Sequence, residues 1–225
     1  MANKNHKRTG LHREGRKMLL GVTLVAFIIN LVAYEYFPHW ILAVLLALTA
    51  IALVFVVYFF RDPVRIFTID DPDYLVAPAD GKVVVIEPVM ENEYFHEERL
   101  QVSIFMSPFN VHANWYPCEG TILVSEHQAG NHKAAWLPKS STENERSLVV
   151  IETKNKAIIA VRQIAGAMAR RIVTYARAGK ECHRNTHLGF IKLGSRVDLY
   201  LPLDTEMFVE MGDNVRGNQT IIAKL

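Results

Sequence analysis

Three kinds of side chain in this sequence are suited to making and breaking bonds. A hydroxyl, Ser195, directly follows Gly194, the only glycine of the chain that precedes a serine. Glycine carries no Cβ, so its backbone can enter strained conformations and leave its carbonyl open to attack. Attack by Ser195 Oγ on that carbonyl would exchange an amide for an ester. A Gly-Ser pair between Ile191 and Val197 also reads as a tight turn, and the residues alone leave both readings open. A nucleophilic hydroxyl needs a base, and the base needs an orienting group, so a histidine and a carboxylate are the companions to look for. His112, in Asn-Val-His, and Asp80, in Ala-Asp-Gly, are the candidates. Their plain alternatives are a packed histidine and a turn residue paired with Gly81. His127 and His132 lie in the polar stretch Ser125 to Arg146, from which a loop could bring them to a site. Cys182, His183 and His187 offer soft and borderline metal ligands, but a zinc site wants four at recognisable spacing and no fourth is nearby, so no metal is expected.

The elements that must position these groups read mostly as β. Alternating and β-branched runs cover Lys82 to Val89, Leu100 to Phe105, Thr121 to Val124, Leu148 to Thr153, Ala157 to Gln163, Arg171 to Ala176, Phe190 to Leu193 and Arg196 to Leu201. Turn chemistry separates them: Asp80-Gly81 precedes one strand, Lys154-Asn155-Lys156 links two others as a hairpin, and Gly179-Lys180 breaks the run before Cys182. Many short strands with tight turns predict a barrel or sandwich. The tracts Val76 to Val83 and Val209 to Ala223 resemble those of biotin- and lipoyl-carrier domains, which implies a barrel-sandwich-like fold. The Met-Lys-Met tract that such a carrier would modify does not occur.

The N-terminal quarter has a different character. Residues 1–17 hold six basic side chains against the single acid Glu14, and uncharged runs follow over Met18 to Tyr34 and Trp40 to Phe60. A helix needs roughly 20 apolar residues to cross a hydrocarbon core of about 30 Å, so these runs predict a two-helix transmembrane hairpin over 18–60, with Pro38 in its connection. The basic tail before it and Arg61 and Arg65 after it place both ends, and the globular domain over 61–225, on the cytoplasmic side. The whole chain of 225 residues carries a net charge of only +2, which argues against nucleic acid as a partner. Two cysteines exclude a disulfide-stapled scaffold.

Taken in order, the segments Phe60-Arg61-Asp62-Pro63, Ala77-Pro78-Ala79-Asp80-Gly81, Ser107-Pro108-Phe109-Asn110-Val111-His112, Asn144-Glu145-Arg146, Gly189-Phe190 and Gly194-Ser195-Arg196 resemble the short-form (type A) phosphatidylserine decarboxylases, which are pyruvoyl enzymes. The resemblance covers nearly all of the globular part. It implies that the chain cuts itself between 194 and 195 and that Ser195 becomes a pyruvoyl group at the head of the 195–225 fragment. That fragment and 1–194 would then form a two-chain enzyme. It further implies a membrane-borne serine phospholipid as substrate, joined through its amine as a Schiff base, decarboxylated and released as the ethanolamine lipid with CO2. The lipid is read as phosphatidylserine, although the sequence does not identify its glycerol stereochemistry or hydrocarbon linkage, which leaves an archaeal-type serine lipid as the other backbone. Asp80 and His112 match family positions used in self-cleavage and decarboxylation. The longer family members carry a second histidine where this chain has Trp115, and commonly Thr or Ser where it has Arg196. Arg196 could bind the lipid phosphate or carboxylate, and His132 is a further substrate-binding candidate. A reading of another class is a membrane-tethered, non-catalytic barrel-sandwich adaptor, in which Gly194-Ser195 is only a turn.

Overall fold

The computed structural model describes residues 10–130, 144–166, 171–192 and 195–225. By internal contacts the chain divides into two units, Met1–Val64 and Arg65–Leu225.

The first unit is a helical hairpin. Helix α1 spans Arg13–Tyr36 and α2 spans His39–Phe59, and both are long and apolar enough to cross a membrane. The first helix begins five residues before the uncharged run, because Arg, Glu and Lys are good helix formers and carry the helix into the basic tail. His12 caps it, its Nδ1 accepting from Glu14 N at 3.3 Å. The two helices are tied where Asn30 Nδ2 donates to Thr49 Oγ1 at 3.0 Å. Both polar groups also satisfy carbonyls of their own helix, as a polar residue on an apolar helix must. Strands β1 (Gly10–Leu11) and β2 (Arg61–Asp62) pair antiparallel at the two ends of the hairpin.

The second unit is built almost wholly of strands. In chain order these are β3 (Tyr74–Val76), β4 (Gly81–Glu91), β5 (Glu97–Met106), β6 (Ala113–Trp115), β7 (Gly120–Gln128), β8 (Arg146–Thr153) and β9 (Ile158–Ala165), followed by β10 (Ile172–Thr174), β11 (Glu181–Cys182), β12 (His187–Ile191), β13 (Ser195–Leu201), β14 (Glu206–Met207), β15 (Asn214–Val215) and β16 (Ile221–Lys224). Eight of them form one curled sheet in the order β11-β7-β8-β9-β13-β5-β4-β15. Two three-stranded sheets, β10-β12-β6 and β14-β16-β3, complete the layers. Every pairing is antiparallel, so the mostly β, barrel-sandwich-like reading holds. The two tracts that look alike in sequence lie against each other: β15 pairs with the start of β4, and Ala77 N donates to Thr220 O at 2.8 Å.

The predicted hairpin at Lys154-Asn155-Lys156 joins β8 to β9, closed by Thr153 N to Ala157 O at 2.9 Å, with Lys156 at φ 68°. Strand β4 runs two residues beyond its predicted end, because Pro88 sits within a strand whose register to β5 continues to Glu91. The core between the sheets is apolar, with Val83, Ile104, Met106, Val161, Val197 and Leu199 all but fully buried.

Candidate active site

Ser195 opens β13, a strand held on both edges, where it pairs with Met106 of β5 and Ala165 of β9. It is fully buried, and its Oγ lies 3.3 Å from Met106 Sδ. Successive side chains on a strand alternate between faces. Ser195 therefore shares its face with Val197, Leu199 and Leu201 of the core, while Arg196, Asp198 and Tyr200 occupy the other.

His112 reaches the same end of the sheet by way of the Ser-Pro-Phe-Asn turn that follows Met106. Asn110 builds the turn: its N donates to Ser107 O at 3.0 Å, and its Oδ1 accepts from Ser107 N at 2.8 Å and Ser107 Oγ at 2.7 Å. Such an Asx-type closure is what asparagine supplies to a turn. His112 is fully buried, and its Nδ1 lies 2.9 Å from Asn110 O. A carbonyl only accepts, so Nδ1 carries the proton and Nε2 is the basic nitrogen. Ile191 N donates to His112 O at 3.3 Å, which anchors the histidine four residues upstream of Ser195.

Asp80 stands at the turn into β4, whose first residues lie beside the end of β5. A Cβ on Gly81 would sit 2.2 Å from Phe105 O, so only glycine lets the Asp80 turn approach that strand. The carboxylate is held in place. Arg65 grips it through both terminal nitrogens, with NH2 to Oδ2 at 2.8 Å, and Gly217 N donates to Oδ1 at 2.8 Å. The Arg65 guanidinium also covers the indole of Trp115 at 5.2 Å, and His187 meets that indole edge-on at 5.2 Å. Trp115 is thus a buried ring against which Arg65 is held.

Of the other candidates, Arg196 is buried and turned to Asp198, with Nε to Oδ1 at 2.8 Å and NH2 to Oδ2 at 3.1 Å, on the face away from Ser195. His127 lies 3.3 Å from Glu145 at the surface. Cys182 and Cys118 are both buried thiols, and their mutual hydrogen bond together with burial pushes Cys118 well above its ordinary pKa. Gly194 and His132 lie outside the described residues.

Beside these groups runs a chain of buried polar side chains not singled out from the sequence. Ser147 Oγ donates to Gln163 Oε1 at 2.8 Å, Gln163 Nε2 donates to Asn114 Oδ1 at 2.7 Å, and Asn114 Nδ2 points at Met106 Sδ, 3.7 Å away. All of these residues are fully buried. No local motif announces them, since they come from β8, β9 and β6 and meet only through the β8–β9 register and the packing of one sheet on another. A clue was available in Gly189: a Cβ there would lie 2.7 Å from Gln163 Nε2 and 2.3 Å from Val173 O.

The sequence profile described as "Phosphatidylserine decarboxylase" matches residues 52–223 of this chain. The chain belongs to that family. Among curated relatives named "Phosphatidylserine decarboxylase proenzyme", one from Bacteroides fragilis is 55% identical over 223 residues, covering 99% of this chain and 98% of that protein. One from Bacteroides thetaiotaomicron matches to the same extent. A more distant relative from Amoebophilus asiaticus, with the same name, is 39% identical over 218 residues, covering 96% of each chain. The resemblance seen in the ordered motifs is thereby a family membership spanning both the helical hairpin and the β unit.

Proposed function

We propose that this chain is a self-processing phosphatidylserine decarboxylase that converts phosphatidylserine to phosphatidylethanolamine and CO2. Ser195 is its nucleophile in processing and the source of its pyruvoyl group. The observation that carries the assignment of Ser195 is its setting: a fully buried hydroxyl with a thioether as its contact, at the sheet end to which the Asn110 turn also delivers His112. A hydroxyl kept only for stability would be expected to have a strong hydrogen-bond partner there.

In this reading His112 Nε2 accepts the Ser195 proton as Oγ adds to the Gly194 carbonyl. Collapse expels the Ser195 nitrogen, which takes up a proton, and leaves an ester. Loss of the Cα proton with departure of the Gly194 carboxylate cuts the chain and leaves dehydroalanine. Tautomerisation to the imine and hydrolysis by water, with release of ammonia, give the ketone. The burial of Ser195 beside the Met106 thioether fits such an uncharged group. When formed it supplies an electrophilic carbonyl that takes up the electron pair left by departing CO2. Asp80, held by Arg65 and Gly217, orients the groups around it. Arg196, bound to Asp198, holds the strand that carries Ser195, and the lipid-contact role remains open to His132. The hairpin over 18–60 anchors the 61–225 domain on the cytoplasmic side of the membrane, where its lipid substrate lies.

The decisive assay offers the full-length protein phosphatidylserine in mixed vesicles and follows CO2 release. Wild type is expected to release CO2 from the lipid and not from free serine, and Ser195→Ala to release none. Equal CO2 release by Ser195→Ala, or release from free serine alone, would overturn the reading.

A further inference from the structure

Self-processing at Ser195 creates a need that neither His112 nor Asp80 has been shown to meet. When Oγ adds to the preceding carbonyl, one C–O bond forms and the π pair moves onto the carbonyl oxygen. Negative charge then develops on an atom two covalent bonds from Oγ, inside a buried site. Such a charge is stabilised only by a donor fixed in place beforehand.

We infer that the Asn114 carboxamide supplies this donor, with Gln163 and Ser147 as the residues that position it; the inference rests on the self-processing reading above. Asn114 Nδ2 and Ser195 Oγ converge on one sulfur, at 3.7 Å and 3.3 Å. That thioether is the sole acceptor of either donor among the described residues. Sulfur is a weak acceptor, so two strong buried donors are held together at Met106 without being spent on a strong bond of their own. The orientation of the amide is set from behind. Ser147 fixes Gln163, Gln163 Nε2 occupies Asn114 Oδ1, and the Asn114 amino group is therefore turned toward Met106 and Ser195. Gly189, opposite Asn114 in the β6–β12 register, leaves room for the Gln163 amide to lie against the backbone, which a Cβ would prevent.

Burying three neutral polar side chains in a core is costly unless every bond is made. Here each link is short except the last one, and the last one ends on the sulfur that Ser195 Oγ also meets. That asymmetry distinguishes the chain from the charged cluster on the opposite face of β13, whose members are paired with one another.

The test follows processing of the full chain, made by cell-free synthesis into detergent micelles, by denaturing electrophoresis and intact mass over time. Wild type must yield fragments 1–194 and 195–225; if it stays whole, the self-processing reading itself fails. Asn114→Asp keeps the shape and removes the donor, and Asn114→Ala removes the side chain. Both are expected to slow cleavage about 10²- to 10³-fold, with melting temperatures that show a folded precursor. Gln163→Leu is expected to slow it less. Hydroxylamine, which cuts an accumulated ester, separates a role in the acyl shift from one after it. Because the donor acts before the ester exists, hydroxylamine should not restore cleavage in the Asn114 or Gln163 variants. Wild-type cleavage rates in folded Asn114 variants would overturn the inference. So would rapid cleavage on adding hydroxylamine. Failure of both Asn114 variants to fold would mark the amide as a core strut and overturn it as well.

Discussion

The two faces of β13 are both buried and could hardly differ more. One carries Ser195, Val197, Leu199 and Leu201, and its polar neighbours are neutral: a thioether, two amides and a hydroxyl. The other carries Arg196, Asp198 and Tyr200 and borders a cavity of about 540 Å³ lined by Glu87, Glu91, Arg146 and Arg162 among others. There Arg162 pairs with Glu91 at 2.7 Å and Glu93 at 3.1 Å, Arg146 with Glu93 at 2.8 Å, and Arg162 also hydrogen-bonds the Tyr200 hydroxyl. The charged face resembles a machine part and the neutral face a reaction vessel. Buried charges must be matched, and once matched they resist change. Neutral donors lose less by waiting for a partner, which suits groups that must act on a bond as it breaks.

If the comparison is sound, the two faces fail in different ways. Ser195→Ala is expected to abolish chain cleavage and decarboxylation altogether while leaving the melting temperature within a few degrees of wild type, as read by electrophoresis and thermal denaturation. Arg162→Ala should do the reverse. It leaves Glu91 buried without its guanidinium, while Glu93 keeps Arg146, and should cost about 3–5 kcal/mol of stability, measured by denaturant unfolding, while protein that still folds continues to cut itself. A variant of Arg162 that is fully stable yet uncut would erase the distinction.

A smaller effect concerns acid stability. Burial alone would raise the Glu91 pKa, but backbone N–H groups of Phe95, Tyr94 and Glu93, together with Arg162, outweigh it and hold the carboxylate below its ordinary value of 4.5. A carboxyl whose pKa is lowered by folding contributes stability above its unfolded-state value, and loses it as pH falls through the folded-state value. Melting temperature should therefore drop as pH falls below about 4.5. Glu91→Gln should flatten that drop and lower stability at neutral pH; an unchanged acid limb would contradict the role given to Glu91. The smallest effect is expected at the surface, where Lys154 meets Glu119 in solvent. Lys154→Ala should shift stability by less than about 0.5 kcal/mol, which gives a baseline for the buried pairs.

The contrast between the faces also explains what could be read from the sequence. The strands were legible because their apolar positions alternate, and the hairpin at Lys154-Asn155-Lys156 because its turn chemistry is local. Ser195, His112 and Asp80 stood out because each sits in a short motif of reactive residue types. Asp198 lies two residues after Arg196, hence on the same face, so the Arg196 pairing was implicit in strand alternation, but charge alone suggested a ligand contact. Arg65, which follows the predicted hairpin, served there only as a topology signal, and its grip on Asp80 spans fifteen residues that include β3. The amide chain was illegible for a deeper reason. Asn114, Gln163 and Ser147 are ordinary strand residues in sequence; the β8–β9 register brings Ser147 to Gln163, and only the packing of two sheets brings Gln163 to Asn114.

The central claim is that the bond before Ser195 breaks and leaves a keto group in place of the hydroxyl and amine. Intact mass of the purified, active protein tests this most directly, with the small fragment also treated with a carbonyl-reactive hydrazine. The account predicts two chains, 1–194 and 195–225, with a blocked, hydrazine-reactive N-terminus on the smaller one. Active protein recovered as one uncut chain of 225 residues with Ser195 unchanged would contradict it.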